Sequence, residues 1–149
     1  MDRDLADRDY QALLLFRTGL RRFLRWSEDQ AQAVGLTGSQ HQLLLAIRGC
    51  DGDPTITEIA DQLVTRHHSV VGLVDRAQAA GLVRRVKADD DQRVVRLRLT
   101  VEGASRLARL TELHREELTR LGPRLAPIWR GLEHVPGDGG AARVHQEQE

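Results

Sequence analysis

The chain has 149 residues with 22 basic and 22 acidic side chains, so its formal net charge at pH 7 is zero. Hydrophobic residues make up 40% of it and charged residues 30%, a balance typical of a globular domain and not of a disordered chain. No apolar run approaches the ~18 residues of a membrane span, and the N-terminal residues lack the apolar segment of a signal peptide. A single cysteine, Cys50, excludes an internal disulfide framework. We therefore expect one cytoplasmic domain over residues 1–149.

The N-terminal part has the apolar periodicity of a long helix, which we predict over residues 5–34. Apolar side chains recur there at spacings of three and four, so they share one stripe of the helix. The members of this stripe are Leu13, Phe16, Leu20, Phe23 and Leu24. Gly35 follows where a glycine C-cap ends a helix.

Three shorter helices follow, and their starts are marked by capping residues. Thr37 and Thr55 each precede a Gln or Glu by three residues, the spacing of a capping box. After a short turn, Thr65 is the expected cap of the next helix, whose inner face carries apolar residues and which ends at Gly81. The sequence therefore predicts helix, helix, tight turn, helix over residues 37–81.

From Leu82 the apolar period changes from helical to alternating. Two β-rich segments, LVRRVKA and VVRLRLT, flank the polar tip DDDQR and predict a hairpin. Thr100 then caps another long helix, predicted over about residues 101–134, and Pro123 indicates that a separate last helix begins inside this range. The Gly-rich polar residues 136–149 are predicted to be a disordered tail.

This order predicts a mainly α fold with a small β-hairpin wing, a winged helix-turn-helix over about residues 37–100. The second helix of such a unit is shaped to enter a DNA major groove. Residues 65–98 carry eight basic and four acidic side chains, together with His67 and His68. A local basic face suffices for phosphate contacts on a protein of zero net charge. The sequence thus favours double-stranded DNA as the partner.

The long terminal helices are not needed to complete a winged helix. Their apolar stripes must be buried, and a symmetric dimer is the commonest solution for a protein in water. A dimer also places two recognition helices about one DNA turn, ~34 Å, apart, which matches a palindromic site. The alternative is that these helices pack only on their own domain.

Four segments carry a resemblance to a known family: LTGSQHQLLLAIRG, ITEIADQL, HHSVVGLVDRAQAAGLVRR and DQRVVRLRLTVEG. Together they resemble the MarR family of bacterial transcriptional regulators. The most specific motif in these segments is Asp91-x-Arg93 followed by Leu99-Thr100 and Gly103, which is similar to the wing signature of the family. The resemblance covers about residues 10–135.

The resemblance implies a homodimer with interleaved terminal helices that binds palindromic operators and usually represses. It also implies that small phenolic or lipophilic ligands enter between the dimerisation helices and the DNA-binding lobe and release DNA. The sequence departs from the family pattern at two positions. Family members often have a polar or basic residue where Gly72 stands and a large apolar residue where Ala77 stands.

Candidate DNA contacts lie on the recognition helix and on the wing. They are Arg66, His67, His68 and Ser69 at the helix start, Arg76 further along, Arg84, Arg85 and Lys87 on the first strand, and Arg93 at the wing tip. Arg93 is expected in the minor groove, and the family pattern implies that Asp91 orients it. The alternatives are a solvated helix start, an Arg76 pair with Asp75 or Asp91, strand charges that only keep an edge strand soluble, and ordinary turn charges at the tip.

Arg17, Arg21, Trp26 and His41 are candidates for a ligand pocket, because a Trp stacks on aromatic ligands and an Arg binds a carboxylate. The alternative is that Trp26 is a core residue. We expect no metal and no cofactor, since the adjacent residues His67 and His68 point ~100° apart on a helix and chelate poorly.

The sequence predicts a homodimeric DNA-binding protein, and the resemblance implies a transcriptional repressor that a small ligand releases. Two alternatives stay open: a winged-helix module that binds protein without specific DNA recognition, and a redox-sensing regulator based on Cys50. For the thiol we favour an inert role, since the neighbouring Asp51 disfavours a thiolate. An enzyme is not expected, because no nucleophile–base pair, phosphate-binding loop or paired carboxylate is evident.

Overall fold

The computed structural model describes residues 5–133 and shows the mainly α architecture with a hairpin that the sequence predicts. Its helices are α1 (Asp7–Ala33), α2 (Gly38–Gly49), α3 (Ile56–Gln62), α4 (His67–Ala79) and α5 (Val101–Glu133), and its strands are β1 (Val83–Lys87) and β2 (Val95–Leu99). The two strands form one antiparallel sheet. The predicted disordered tail lies outside the described residues. In the described part, no helix is both long and apolar enough to cross a membrane.

Local side-chain bonds fix where α2 and α3 begin. The hydroxyl of Thr37 accepts from the backbone N–H of Gln40 at 3.1 Å, and the Gln40 side chain accepts from the Thr37 N–H at 3.0 Å. Thr55 and Glu58 make the same reciprocal pair at 3.2 and 2.8 Å. Both predicted capping boxes are therefore confirmed.

The turn between α3 and α4 differs from the prediction. Thr65 is not the cap of α4, because the helix begins at His67 with Arg66 as its N-cap, and no side chain caps it. The N–H of Thr65 instead donates to the carbonyl of Ala60 at 3.0 Å, which holds Thr65 in the turn. Just before it, Val64 has a φ of 50° and is 92% exposed.

Replacing Val64 by Asn should raise the stability of the protein. A β-branched residue in the left-handed region is strained, whereas Asn tolerates it, so we expect a gain of about 1 kcal/mol in the free energy of unfolding. Thermal unfolding should show a midpoint higher by roughly 3 °C. The matched control is Val101→Asn, at an 89% exposed position outside the left-handed region, where no gain is expected. An equal effect at both positions would contradict the strain at Val64.

The hydrophobic core lies between α2, α3, α4, the hairpin and the first half of α5. Its fully buried side chains include Leu43, Leu44, Ile59, Val70, Val74, Ala77, Leu82, Leu97 and Leu110, together with Ala31 at the end of α1. Val70, Val74 and Ala77 are the predicted inner face of α4. Because this face is buried completely, the rotation of α4 about its axis is fixed and its opposite face points away from the core.

The wing is tied to the loop before α3. The N–H of Leu97 in β2 donates to the carbonyl of Pro54 at 2.8 Å, and Arg96 Nη1 donates to the carbonyl of Asp53 at 2.9 Å. The guanidinium of Arg98 forms an ion pair with the Asp53 carboxylate. This hydrogen bond lowers the pKa of the Asp53 carboxyl below its usual value. The root of the hairpin is therefore held against the helix-turn-helix.

Helices α1 and α5 pack antiparallel along their length. The rings of Phe16 and Trp129 lie 5.7 Å apart between centroids, and a Cβ on Gly19 would lie 3.6 Å from Leu125. The predicted start of a separate helix at Pro123 is wrong, because α5 continues through Pro123 and Pro127. Contact of the last turns with α1 favours continuation, although an interior proline removes one backbone hydrogen bond.

The predicted apolar stripe of α1 divides into two parts. Phe16 and Phe23 face α5 and are half-buried, whereas Leu13, Leu20 and Leu24 are 49%, 45% and 53% exposed. Tyr10 extends the exposed part toward the N-terminus of the helix, and Leu14 lies beside it. One described chain therefore leaves an apolar face of α1 uncovered.

Candidate nucleic-acid interface

The start of α4 presents a continuous polar surface. Arg66, His67, His68 and Ser69 are all exposed, and the first buried residue is Val70. The first turn contains no acidic residue. The N-terminus of a helix carries unpaired N–H groups and a partial positive charge, which favour a phosphate. The four predicted residues thus lie where an anion is best accepted.

The wing adds cations beside this helix. Arg84 and Lys87 on β1 are exposed, as predicted. Arg85 is not free, because its guanidinium donates to Asp75 at 2.6 Å and to Gln78 at 2.5 Å, both on α4. Arg85 thus makes a structural contact, which holds β1 against the second half of α4.

The wing tip has the geometry that the family pattern implies. A single carboxylate oxygen of Asp91 accepts from the backbone N–H of Arg93 at 3.0 Å and from its Nε at 3.3 Å. The side chain of Arg93 is 92% exposed. Asp91 therefore restrains the base of an arginine whose remaining donors point into solvent.

Arg76 lies one turn from the end of α4 on its outer face. The two acidic residues considered as its partners are engaged elsewhere, Asp75 with Arg85 and Asp91 with Arg93. Among residues 5–133, no hydrogen bond or ion pair holds the Arg76 guanidinium. We use the term basic face for the exposed residues that these elements share, and it consists of Arg66, His67, His68, Ser69, Arg76, Arg84, Lys87 and Arg93.

The predicted ligand residues are brought together only in part. Trp26 and His41 both lie next to His114 of α5, with ring centroids 5.0 and 4.9 Å from it. Arg17 is nine residues before Trp26, half a turn away around α1, and both Arg17 and Arg21 are exposed. Within one chain, the two arginines and the two rings therefore do not line one pocket.

His114 is the residue that the sequence-based set missed. Its Nε2 lies 2.7 Å from the hydroxyl of Ser27 and its Nδ1 lies 2.7 Å from the carbonyl of Leu110. Because a carbonyl only accepts, Nδ1 carries the hydrogen, and in the neutral ring Nε2 accepts from Ser27. The sequence signal was its spacing, since His114 follows the buried Leu107 and Leu110 on the same stripe of α5.

Burial of His41 makes the stability depend on pH. His41 is 8% exposed, and burial, together with the nearby His114, lowers the pKa of His41 below its usual value of 6.5. The unfolded chain therefore binds a proton near pH 6.5 that the folded chain rejects, and stability falls as the pH drops below that value. The loss levels off below the folded pKa.

We expect unfolding by urea to show this loss, at most about 1.4 kcal/mol per pH unit between pH 7.5 and 5.5. The variant His41→Leu removes the titrating group, so its stability should depend less steeply on pH over the same interval. Parallel pH profiles for the two proteins would contradict this role of His41.

A groove of about 530 Å³ lies between α1 and α5 next to Trp26. Its apolar lining includes Leu14, Leu15, Phe23, Trp26, Leu121 and Leu125, and its cations are Arg22, Arg120 and Arg124. Arg120 also forms an ion pair with Glu117 at 2.6 Å. The arginine that accompanies Trp26 is therefore Arg22, one turn before it, and not Arg17 or Arg21.

Within residues 5–133, Cys50 and the histidines form no cluster suited to a metal ion. Cys50 is half-buried at the C-cap of α2, and its N–H donates to the carbonyl of Ala46 at 3.3 Å. No group of three or more His, Cys, Asp or Glu side chains suited to a metal ion occurs within residues 5–133.

The helix-turn-helix, the hairpin anchored beside it and the long helices around them define a winged-helix protein. Residues 34–94 match the model of the MarR family. A MarR family protein from Bacillus stearothermophilus is 23% identical with a TM-score of 0.70 and covers 86% of this chain and 93% of its own. MarR from E. coli is also 23% identical, with a TM-score of 0.65 and coverage of 83% and 95%.

The transcriptional repressor CouR, in a structure bound to a 23-mer DNA duplex, is 27% identical, with a TM-score of 0.62 and coverage of 76% and 84%. No curated protein matches the sequence. The chain therefore has a winged-helix fold, and its residues 34–94 resemble the MarR family.

Proposed function

We propose that two copies of this chain form a cytoplasmic regulator that binds a palindromic DNA operator and represses transcription until a small ligand releases it. The observation that carries the proposal is the basic face on α4 and the wing, on the side of α4 opposite to its buried residues. The likeness to a repressor bound to a DNA duplex supports the choice of partner.

Each part of the basic face suits one part of a DNA duplex. Arg66 to Ser69 lie at the end of α4 that enters the major groove in helix-turn-helix proteins. Arg84 and Lys87 suit phosphates that flank the groove. Arg93 extends from the wing tip and suits the narrow, negative minor groove. The three parts together bind both the backbone and the base edges.

The dimer is supported by the uncovered side of α1. Leu13, Leu20 and Leu24 share one side of α1, and each is about half exposed. A second copy would remove this apolar area from water and contribute free energy in proportion to it. A two-fold axis through this face pairs the two α4 helices, as a palindromic site requires.

The effector is a lipophilic anion with an aromatic or extended apolar part. The groove beside Trp26 has a volume in the range of ligand sites. Its leucines and Trp26 suit an apolar body, and Arg22 and Arg124 suit a carboxylate. Because the groove is formed by α1 and α5, a ligand there changes how the terminal helices hold the two DNA-binding lobes.

Fluorescence anisotropy with a labelled duplex from the region upstream of its own gene tests DNA binding. We expect affinity to fall at least ~10³-fold between about 50 and 200 mM salt, because several phosphates lose their counterions on binding. Arg66→Ala should weaken binding, whereas Arg48→Ala, an exposed arginine outside α4 and the hairpin, should not. Absence of a complex at low salt would contradict the proposal.

A second candidate function is protein binding without specific DNA recognition. The exposed Asp89 and Asp90 at the wing tip favour it, because carboxylates repel phosphate. If the double variant Arg66→Ala, Arg93→Ala retains regulation in cells, protein binding is the better account. A regulator based on Cys50 would instead lose its response with Cys50→Ser.

A further inference from the structure

Gly72 lies in the middle of α4 on its outer face, where a glycine is unfavourable. An interior glycine lowers helix stability by about 1 kcal/mol relative to alanine. Its backbone does not require glycine, because its φ is not in the left-handed region. The core does not require it either, since a Cβ at Gly72 would meet one atom within 4 Å, the Nη1 of Arg76 at 3.3 Å. The absence of a side chain at Gly72 therefore leaves room for the Arg76 guanidinium.

The direction of the Arg76 side chain follows from helix geometry. Residues four apart share a face, and side chains lean toward the helix N-terminus. The Arg76 guanidinium accordingly lies one turn, ~5.4 Å, closer to the N-terminus than its own Cα. This brings it toward His68 and Ser69, at the end of α4 that enters the groove.

The donors of Arg76 are available to a ligand. Asp75, its neighbour in the chain, is neutralised by Arg85, and Gln78 also accepts from Arg85. In the part of the chain that the structure describes, no acceptor engages the Arg76 guanidinium. An arginine with a free planar fork matches the two acceptors O6 and N7 of guanine in the major groove.

We propose that Arg76, lying over the space left by Gly72, reads a guanine in each half of the DNA site and so determines specificity. The proposal rests on the proposed function, since it needs α4 to enter the major groove. The competing arrangement is a contact of Arg76 with a phosphate. Replacing Arg76 changes the sequence preference of the protein only if Arg76 reads a base.

Selection of bound duplexes from a random-sequence pool, followed by sequencing, tests the proposal. The unaltered protein should enrich guanine at one pair of symmetric positions. Arg76→Ala and Arg76→Lys should both reduce that preference at least about fivefold and leave the other positions unchanged, because a lysine keeps the charge but lacks the fork. Gly72→Leu should give the same loss while Arg76 is still present.

Gly49→Ala is the matched control, because a Cβ at that exposed helical glycine meets nothing within 4 Å. Circular dichroism checks that each variant is folded, and the two Arg76 variants decide the matter if Gly72→Leu does not fold. A uniform loss of affinity with an unchanged preference would overturn the reading of guanine in favour of a phosphate contact. If the unaltered protein enriches no sequence, the proposed function itself fails, and the role of Arg76 fails with it.

Discussion

Replacing Gly103 by alanine should lower the free energy of unfolding by about 3 kcal/mol, the upper part of the range for overpacking a core. A Cβ at Gly103 would lie 2.1 Å from the carbonyl oxygen of Leu82 and 3.0 Å from its carbon. These are backbone atoms at the start of the hairpin, so no side-chain rotation relieves the overlap. Either α5 or β1 must move.

The movement would break a set of bonds that join α5 to the hairpin. The carbonyl of Leu82 accepts from the Thr100 N–H at 3.0 Å. The Thr100 hydroxyl donates to the carbonyl of Gly81 at 2.6 Å and accepts from the Gly103 N–H at 3.0 Å. Gly103→Ala should therefore displace the wing relative to the terminal helices and also weaken DNA binding.

Urea unfolding at one fixed protein concentration measures this effect, because the stability of a dimer depends on concentration. Gly49→Ala serves as the control, since it adds a methyl group in open space and should be neutral or stabilising by up to about 1 kcal/mol. A Gly103→Ala protein within about 0.5 kcal/mol of the unaltered one would show that the close approach to Leu82 is not needed.

Replacing Arg93 by alanine should weaken DNA binding by about 10- to 100-fold without changing the free energy of unfolding. The side chain is 92% exposed, and within residues 5–133 its hydrogen-bond partner is Asp91, so its removal costs the fold little. In the complex it would lose both a charge near phosphates and a contact in the minor groove. The slope of log affinity against log salt should decrease by about one.

The partner variant Asp91→Asn separates orientation from charge. It keeps the shape of the side chain but weakens the hold on the guanidinium, so we expect a smaller loss of affinity than for Arg93→Ala. Arg48→Ala is again the control for the loss of one exposed arginine. Equal affinity of the Arg93→Ala and unaltered proteins would place the wing tip outside the DNA interface.

Features that depend on neighbouring residues were predictable from the sequence. The capping boxes at Thr37 and Thr55 and the two strands of the hairpin follow from local spacing and alternation, and the structure confirms them. The start of α4 and the continuation of α5 through Pro123 could not be predicted from neighbouring residues. The backbone bond from Thr65 to Ala60 and the packing of α1 against the residues beyond Pro123 are tertiary effects that override local preference.

The candidate site also has features that local pattern predicts and features that depend on tertiary contacts. Exposure at the start of α4 and at the wing tip follows from the apolar pattern, which fixes the buried face. The contacts of Arg85 with Asp75 and Gln78 could not be predicted from the sequence, because they depend on how the hairpin folds onto α4. The contact of Trp26 with His114 joins residues far apart in the chain, so it could not be predicted from the spacing of residues within one helix.

The most direct test of the account is the mass of the protein–DNA complex, measured by native mass spectrometry on the duplex from upstream of its own gene. With a chain of 16.7 kDa, two copies add twice that mass to the duplex, and we expect this complex to be the main species. It would disappear with the double variant Arg66→Ala, Arg93→Ala. A complex with a single chain, or no complex at low ionic strength, would contradict a dimeric DNA-binding regulator.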